Sequence, residues 1–196
     1  MVFEPFEARQ LARGFRLVCG VDEAGRGPLA GDVYAAAVIL PPIYDLPGLA
    51  DSKKLTEKKR EALYDRIRAQ AVASCVAFAT IEEIETHNIL RAALLAMRRA
   101  VEGLALPADF ALVDGNQKPP LVIPCQTIIK GDALCASVAA ASILAKVERD
   151  RAMRALDVQY PGYGFARHKG YGTKAHYEAL QTLGPCAAHR PSFLHR

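Results

Sequence analysis

The stretch CGVDEAGRGPLAGDVYAAAVIL, residues 19–40, decides the fold. Two apolar runs flank a glycine-rich loop. Only about seven residues separate them, too few for a parallel crossover. The runs 15–24 and 32–42 are therefore expected to be antiparallel neighbours in one sheet, the second ended by Pro41 and Pro42. The same stretch sets two acids, Asp22 and Glu23, side by side at the end of the first run.

Working outward, LTEKKREALYDRIRAQ (55–70) places Leu55, Leu63 and Ile67 at helical spacing among charges, with Thr56 as N-cap. AVASCVAFAT (71–80) reads as a third strand. Thr80 and Glu83 then form a capping box, opening a helix over 81–103 with a break expected near His87 and Asn88. DFALVDG (109–115) and LVIPCQTIIK (121–130) read as two further strands, and 132–155 as a long helix whose first half is made of small residues. A loop rich in Gly, Tyr, His and Lys (160–173) leads to a last helix, capped by Thr173 and stopped by Gly184-Pro185. A meander of strands followed by alternating strands and helices predicts one α/β domain with a mixed sheet.

The chain has 196 residues, half of them apolar, and a net charge of +4. That fits a single domain with its own core, and it permits a nucleic-acid partner without requiring one. The cysteine count is five, with no C-x-x-C pair, which points to reduced thiols in a cytoplasmic protein rather than to zinc or disulfides. The first fifteen residues lack the apolar core of a signal peptide, and the apolar run 133–145 is too short to span a bilayer, so no membrane association is expected.

Four acids fall at the ends of buried elements: Asp22, Glu23, Asp114 and Asp132. Each has a plain structural explanation when taken singly. Asp22 and Glu23 would point to opposite faces of a regular strand, Asp114 suits a turn, and Asp132 suits a helix N-cap. Taken together they concentrate negative charge that a cation must balance. Oxygen ligands without a Cys/His set favour Mg²⁺ or Mn²⁺, and a two-metal site of that kind hydrolyses phosphodiesters.

The loop 25–31, GRGPLAG, nearly matches a dinucleotide fingerprint, but its last spacing is one residue too long and a strand follows it. It is either a tight turn or a loop whose peptide groups approach a ligand closely. Lys53 and Lys54 precede a helix, where a phosphate contact is plausible, whereas Lys58, Lys59 and Arg60 read as a solvated helix face. RHKGYGTKAHY (167–177) joins Arg167, His168, Lys169 and Lys174 to Tyr171, which suits either a nucleic-acid backbone with a stacked sugar or an ordinary surface loop.

In combination the motifs GVDEAGRGPLAG (20–31), DSKKL (51–55), LVDGN (112–116), KGDA with SVAAASILAKVERDR (130–151) and HKGYGT (168–173) resemble bacterial type 2 ribonuclease H, ribonuclease HII, in order and over nearly the whole chain. The resemblance implies a ribonuclease H-like fold with a roughly five-stranded mixed sheet and a C-terminal helical extension, 156–196, that binds substrate. It implies cleavage of the RNA strand of RNA–DNA hybrids, and of single ribonucleotides embedded in duplex DNA, leaving 5′-phosphate and 3′-hydroxyl ends. By position it implies that Asp22, Glu23, Asp114 and Asp132 are catalytic metal ligands. It implies that Gly25, Arg26 and Gly27 read the 2′-hydroxyl through the backbone, and that Tyr171 packs on the next deoxyribose. Lys53, Ser137, Lys146 and Arg149 fall near the substrate by the same resemblance, with Lys146 and Arg149 open to an ion-pair role instead. A monomer is expected. The rival readings are another metal nuclease without a 2′-hydroxyl reader, and a non-catalytic duplex-binding module.

Overall fold

The computed structural model describes residues 3–50, 52 and 55–194. Lys53 and Lys54 lie outside the described residues. The sheet has five strands in the order β3-β2-β1-β4-β5. Strands β1 (Val18–Ala24), β2 (Val33–Ile39) and β3 (Ala73–Ala79) form an antiparallel meander, as expected from the short connection. Strands β4 (Phe110–Asp114) and β5 (Cys125–Ile128) join β1 in parallel, so the sheet is mixed.

Among the described residues, nine helical segments accompany the sheet. They begin with α1 (Phe6–Ala12), α2 (Glu57–Gln70), α3 (Ile81–His87) and α4 (Ile89–Glu102). They continue with α5 (Gly131–Leu134), α6 (Ala136–Gln159), α7 (Phe165–His168) and α8 (Lys174–Leu183), and a ninth, short segment α9 (Pro191–Leu194) follows. Helix α4 covers one face of the sheet through Ala92, Ala93, Ala96, Met97 and Ala100, packed on Val21, Ala35, Ala37 and Val113. Helix α6 covers the other face through Ala139, Ala140, Ile143 and Leu144, packed on Ala36 and Val38.

The small residues of α6 have a specific counterpart in β1. A Cβ placed on Gly20 would lie 2.2 Å from the Ser137 carbonyl carbon and 2.3 Å from the Val138 nitrogen. The helix backbone therefore crosses directly over β1 at Gly20, two residues before Asp22. Close approach is possible only because β1 has no side chain there; even the Ser137 Oγ would lie 2.5 Å from such a Cβ.

The helix boundaries follow their caps. Thr56 accepts from the Lys59 N–H, and Thr80 and Glu83 form the reciprocal box. Asn88, at φ 70°, ends α3 and caps α4 by accepting from Arg91 N–H at 3.1 Å, which is the break expected near 87–88. Thr173 caps α8, which ends at Gly184. The helix expected over 132–155 differs: it is interrupted at Cys135 and restarts as α6, running on to Gln159. Cys135 offers no side-chain cap, so the restart is capped from elsewhere. Glu7 of α1 accepts from Ser137 N–H at 2.8 Å and from the Ser137 hydroxyl at 2.7 Å. A carboxylate at a helix N-terminus is favoured by the exposed N–H groups and by the dipole.

All five cysteines are free, with Cys19 and Cys135 buried. Burial pushes the Cys19 thiol up to about 12, so it stays protonated. Among the described residues no helix is long and apolar enough to cross a membrane.

Candidate metal centre and reader loop

Parallel pairing of β1 with β4 sets Val21 beside Val113, so the next residues, Asp22 and Asp114, emerge together at the C-terminal edge of the sheet. Glu23 follows just before Gly25, where φ reaches 103° and the strand ends. Adjacent strand residues can share a site only at such an end. Asp22, Glu23 and Asp114 each present a carboxylate oxygen within 4.8 Å of the others.

Each acid is held by a different element. Asp22 is 5% exposed; its Oδ1 accepts from Glu23 N–H at 2.7 Å, and the Ser142 hydroxyl of α6 bonds to it as well. Ser142 in turn meets Ser52 at 2.7 Å. Asp114 Oδ1 accepts from Gly131 N–H at 2.6 Å and more weakly from Asp132 N–H at 3.4 Å. Asp132 is buried in the first turn of α5 and joins the group through this backbone contact. It is not the N-cap, because Lys130 occupies that position. Glu23 Oε1 meets Arg26 Nη1 at 3.3 Å.

Burial holds the Asp22 carboxyl well above the usual carboxylate range, and the neighbouring charges of Glu23 and Asp114 push it further up. Like charges crowded in a half-buried pocket are relieved by protonation or by a dication. The donors are oxygens only, which suits a hard divalent ion. The residues present thus fit a metal.

Beside the acids lies an open groove of about 590 Å³, lined by Glu23, Arg26, Gly27, Ile89, Tyr177 and Phe193. Two loops meet beside it. Loop 25–31 is bound to the segment after α7 through Leu29 N–H to Gly170 C=O at 2.8 Å. The exposed ring of Tyr171 sits against Gly27, 3.6 Å from where a Cβ would stand. Gly25 has no room for a side chain: a Cβ would fall 2.1 Å from Arg149 Nε.

A scan against family models matches the ribonuclease HII model over residues 19–196. The chain belongs to the ribonuclease HII family. The ribonuclease HII of Syntrophotalea carbinolica is 54% identical over 188 residues, covering 96% of this chain and 90% of that protein. Among solved structures, the ribonuclease H2 of Pyrococcus horikoshii superposes with a TM-score of 0.77 at 27% identity, over 90% of this chain and 93% of that one. The Archaeoglobus fulgidus RNase HII, solved as a complex with PCNA, gives 0.71 at 25% identity over 90% and 94%. The chain is thus a hydrolytic ribonuclease with the mixed five-stranded sheet of its family, acting on the RNA of RNA–DNA hybrids.

The remaining residues singled out in the sequence fall in several places. Ser137 is fully buried on Glu7, remote from the groove surface. Lys146 pairs with Asp150 at 2.6 Å. Arg149 is buried and grips carbonyls rather than a carboxylate: Nη2 donates to Ala30 C=O at 3.2 Å and to Lys169 C=O at 3.1 Å. Arg60, expected on a solvated face, instead turns in to donate to Ser52 C=O at 3.0 Å and Leu55 C=O at 2.5 Å, fastening the turn before α2. His168 and Lys169, for which the sequence left a substrate-backbone contact and an ordinary surface loop both open, build the loop itself. His168 Nε2 donates to Tyr163 C=O at 2.7 Å, and Lys169 Nζ reaches Ala166 C=O at 2.5 Å. His176 and His189 lie buried behind them with Nε2 atoms 3.1 Å apart. Two polar contributors carried no sequence signal: Ser142, placed by the pitch of α6, and Arg190, in the C-terminal segment.

Proposed function

We propose that this ribonuclease cleaves at single ribonucleotides embedded in duplex DNA as well as within hybrids, with Asp22, Glu23 and Asp114 holding divalent metal, Mg²⁺ or Mn²⁺, and Asp132 completing the set. The observation that carries this reading is the convergence of three carboxylates beside a groove lined by the exposed residues Arg26 and Gly27. When bound, such ions lower the pKa of a water and stabilise the leaving oxygen of a phosphodiester. The chain's own work is placement. β1 and β4 fix two carboxylates on one edge, Ser142 and the Glu23 N–H orient Asp22, and the Gly131 N–H orients Asp114. Water adds at phosphorus and the P–O3′ bond breaks, giving a 3′-hydroxyl and a 5′-phosphate.

Gly25, Arg26 and Gly27 read the 2′-hydroxyl, the group that separates RNA from DNA at a given site. Tyr171, exposed beside Gly27, stacks on the neighbouring deoxyribose, and Lys53 contacts phosphate. Residues 156–196 form the substrate-binding part of a single domain, supported by Tyr171, Tyr177 and Phe193 at the groove. A backbone reader does not inspect bases, so sequence preference is weak. The protein acts as a monomer in the cytoplasm, where its free thiols stay reduced.

The test is a pair of duplexes, one with a single ribonucleotide and one all-DNA, incubated with and without Mg²⁺ and mapped at nucleotide resolution. Metal-dependent cutting of the first alone is expected. Equal cutting of both leaves a general metal nuclease in its place, and cutting without metal removes the assigned role of the acids.

A further inference from the structure

Arg190 lies beyond every motif that carried the family resemblance, yet it is 0% exposed and has no ion-pair partner among the described residues. Its guanidinium is spent on one loop. Nη2 donates to Gly25 C=O at 2.7 Å, Nη1 to Pro28 C=O at 2.9 Å and Arg26 C=O at 3.2 Å, and Nε to Gly31 C=O at 2.8 Å. The Arg190 N–H donates to Leu29 C=O at 2.8 Å, and Arg149 takes Ala30 C=O. Two buried arginines thus collect the carbonyls of residues 25, 26, 28, 29, 30 and 31.

The consequence lies in the peptide plane. A trans peptide points its N–H opposite to its carbonyl. Drawing the carbonyls of Gly25 and Arg26 onto Arg190 turns the N–H groups of Arg26 and Gly27 away from that buried side chain, and Arg26 and Gly27 both line the groove beside Glu23. Neither N–H meets an acceptor among the described residues. Two outward donors beside a carboxylate cluster form a receptor for a small oxygen.

Anchoring the C-terminal segment does not require this side chain. The segment is already fastened by two backbone bonds, from Gly31 N–H to Ala188 C=O and from Arg190 N–H to Leu29 C=O, which together make the antiparallel bridge between Ala30 and His189. The guanidinium acts on the loop's orientation. Only arginine suits the task, because its rigid fork of five N–H donors spans several carbonyls at once, whereas a lysine ammonium is a single point.

We propose that Arg190 is the positioning residue that orients the peptide groups of residues 25–27 to receive the ribose 2′-oxygen. Discrimination between ribose and deoxyribose then depends on a buried side chain 165 residues away in sequence that never touches substrate. This rests on the 2′-hydroxyl reading given above.

The experiment compares wild type, Arg190→Lys and Arg190→Met on two duplexes, one carrying a single ribonucleotide and one carrying a 2′-fluoro nucleotide at the same position. Single-turnover kcat/KM is measured on each, with circular dichroism and melting to establish folding. The ribo/fluoro ratio is expected to fall about ten-fold or more in Arg190→Lys, the size of one well-placed hydrogen bond, and further in Arg190→Met. Equal loss on both substrates with the ratio unchanged makes Arg190 merely structural and overturns the proposal, as does failure of both variants to fold. A wild type that cuts both duplexes equally instead removes the underlying 2′-hydroxyl reading, so the two failures are distinct.

Discussion

Replacing Asp22 by Asn should stabilise the metal-free protein while abolishing turnover. Three carboxylate oxygens lie within 4.8 Å of one another. At an effective dielectric of about 20, each like-charge pair at that separation costs roughly 3 kcal/mol. Asp22 belongs to two such pairs, and its burial adds a desolvation cost. Because these effects already raise its pKa, a proton relieves part of the repulsion as pH falls, and a net gain of about 1–3 kcal/mol is expected on substitution. Asparagine keeps an Oδ1 to accept the Glu23 N–H, so little local structure is lost. For a chain of this size the melting temperature in chelator should rise by roughly 3–9 °C. In Mg²⁺ at about a thousand-fold excess over Kd the order should invert: metal binding stabilises the wild type by about 4.1 kcal/mol, and the variant lacks a ligand. Differential scanning calorimetry in EDTA and in Mg²⁺ reads both arms. A variant that melts lower in EDTA, or one that gains as much from Mg²⁺ as wild type does, refutes the claim that electrostatic repulsion among these acids defines the site.

Gly20→Ala should destabilise by about 3 kcal/mol, read by urea unfolding, since its Cβ would meet the Ser137 backbone at 2.2 Å and neither backbone can retreat. Glu7→Ala should cost about 1–3 kcal/mol by the same assay, because the Ser137 N–H and hydroxyl lose their acceptor. Burial holds His176 down to about 4, against about 6.5 in an unfolded chain. The unfolded state therefore binds the proton first, and stability present above pH 6.5 is lost as pH falls toward 4, by up to about 3 kcal/mol. A His176→Asn variant should show a flatter stability–pH profile than wild type, and parallel profiles would contradict this. Tyr171→Ala should slow cleavage at a DNA-flanked ribonucleotide more than cleavage inside a long hybrid, measured as the ratio of kcat/KM on the two.

What the sequence revealed and what it concealed follow one physical division. The antiparallel start of the sheet was legible because a seven-residue connection leaves no other geometry, and the capping at Thr56, Thr80 and Thr173 and the break near His87 and Asn88 were legible because such signals are local. Asp22, Glu23 and Asp114 stood out because charge at the end of an apolar run is costly and therefore conspicuous. That they meet was expected from their shared charge, but the geometry that joins them was not visible, since it depends on parallel pairing between strands about ninety residues apart. The interruption at Cys135 was hidden for a similar reason: its cap comes from Glu7, 130 residues earlier in the chain.

Arg190 was concealed by a deeper cause. Its partners are backbone carbonyls, which every residue type supplies and no letter of the sequence marks. A carboxylate partner would have left an acidic residue to find; four carbonyls leave nothing. The same holds on the receiving side, where the groups that would face a ribose are the N–H groups of Arg26 and Gly27. A site built from peptide groups thus needs a second, internal set of donors to fix its orientation. Because carbonyl and N–H are rigidly opposed in each peptide, the geometry of the hidden donors is copied onto the exposed ones. In such a protein the specificity-determining side chain is expected behind the loop, buried and cationic, rather than in contact with the ligand.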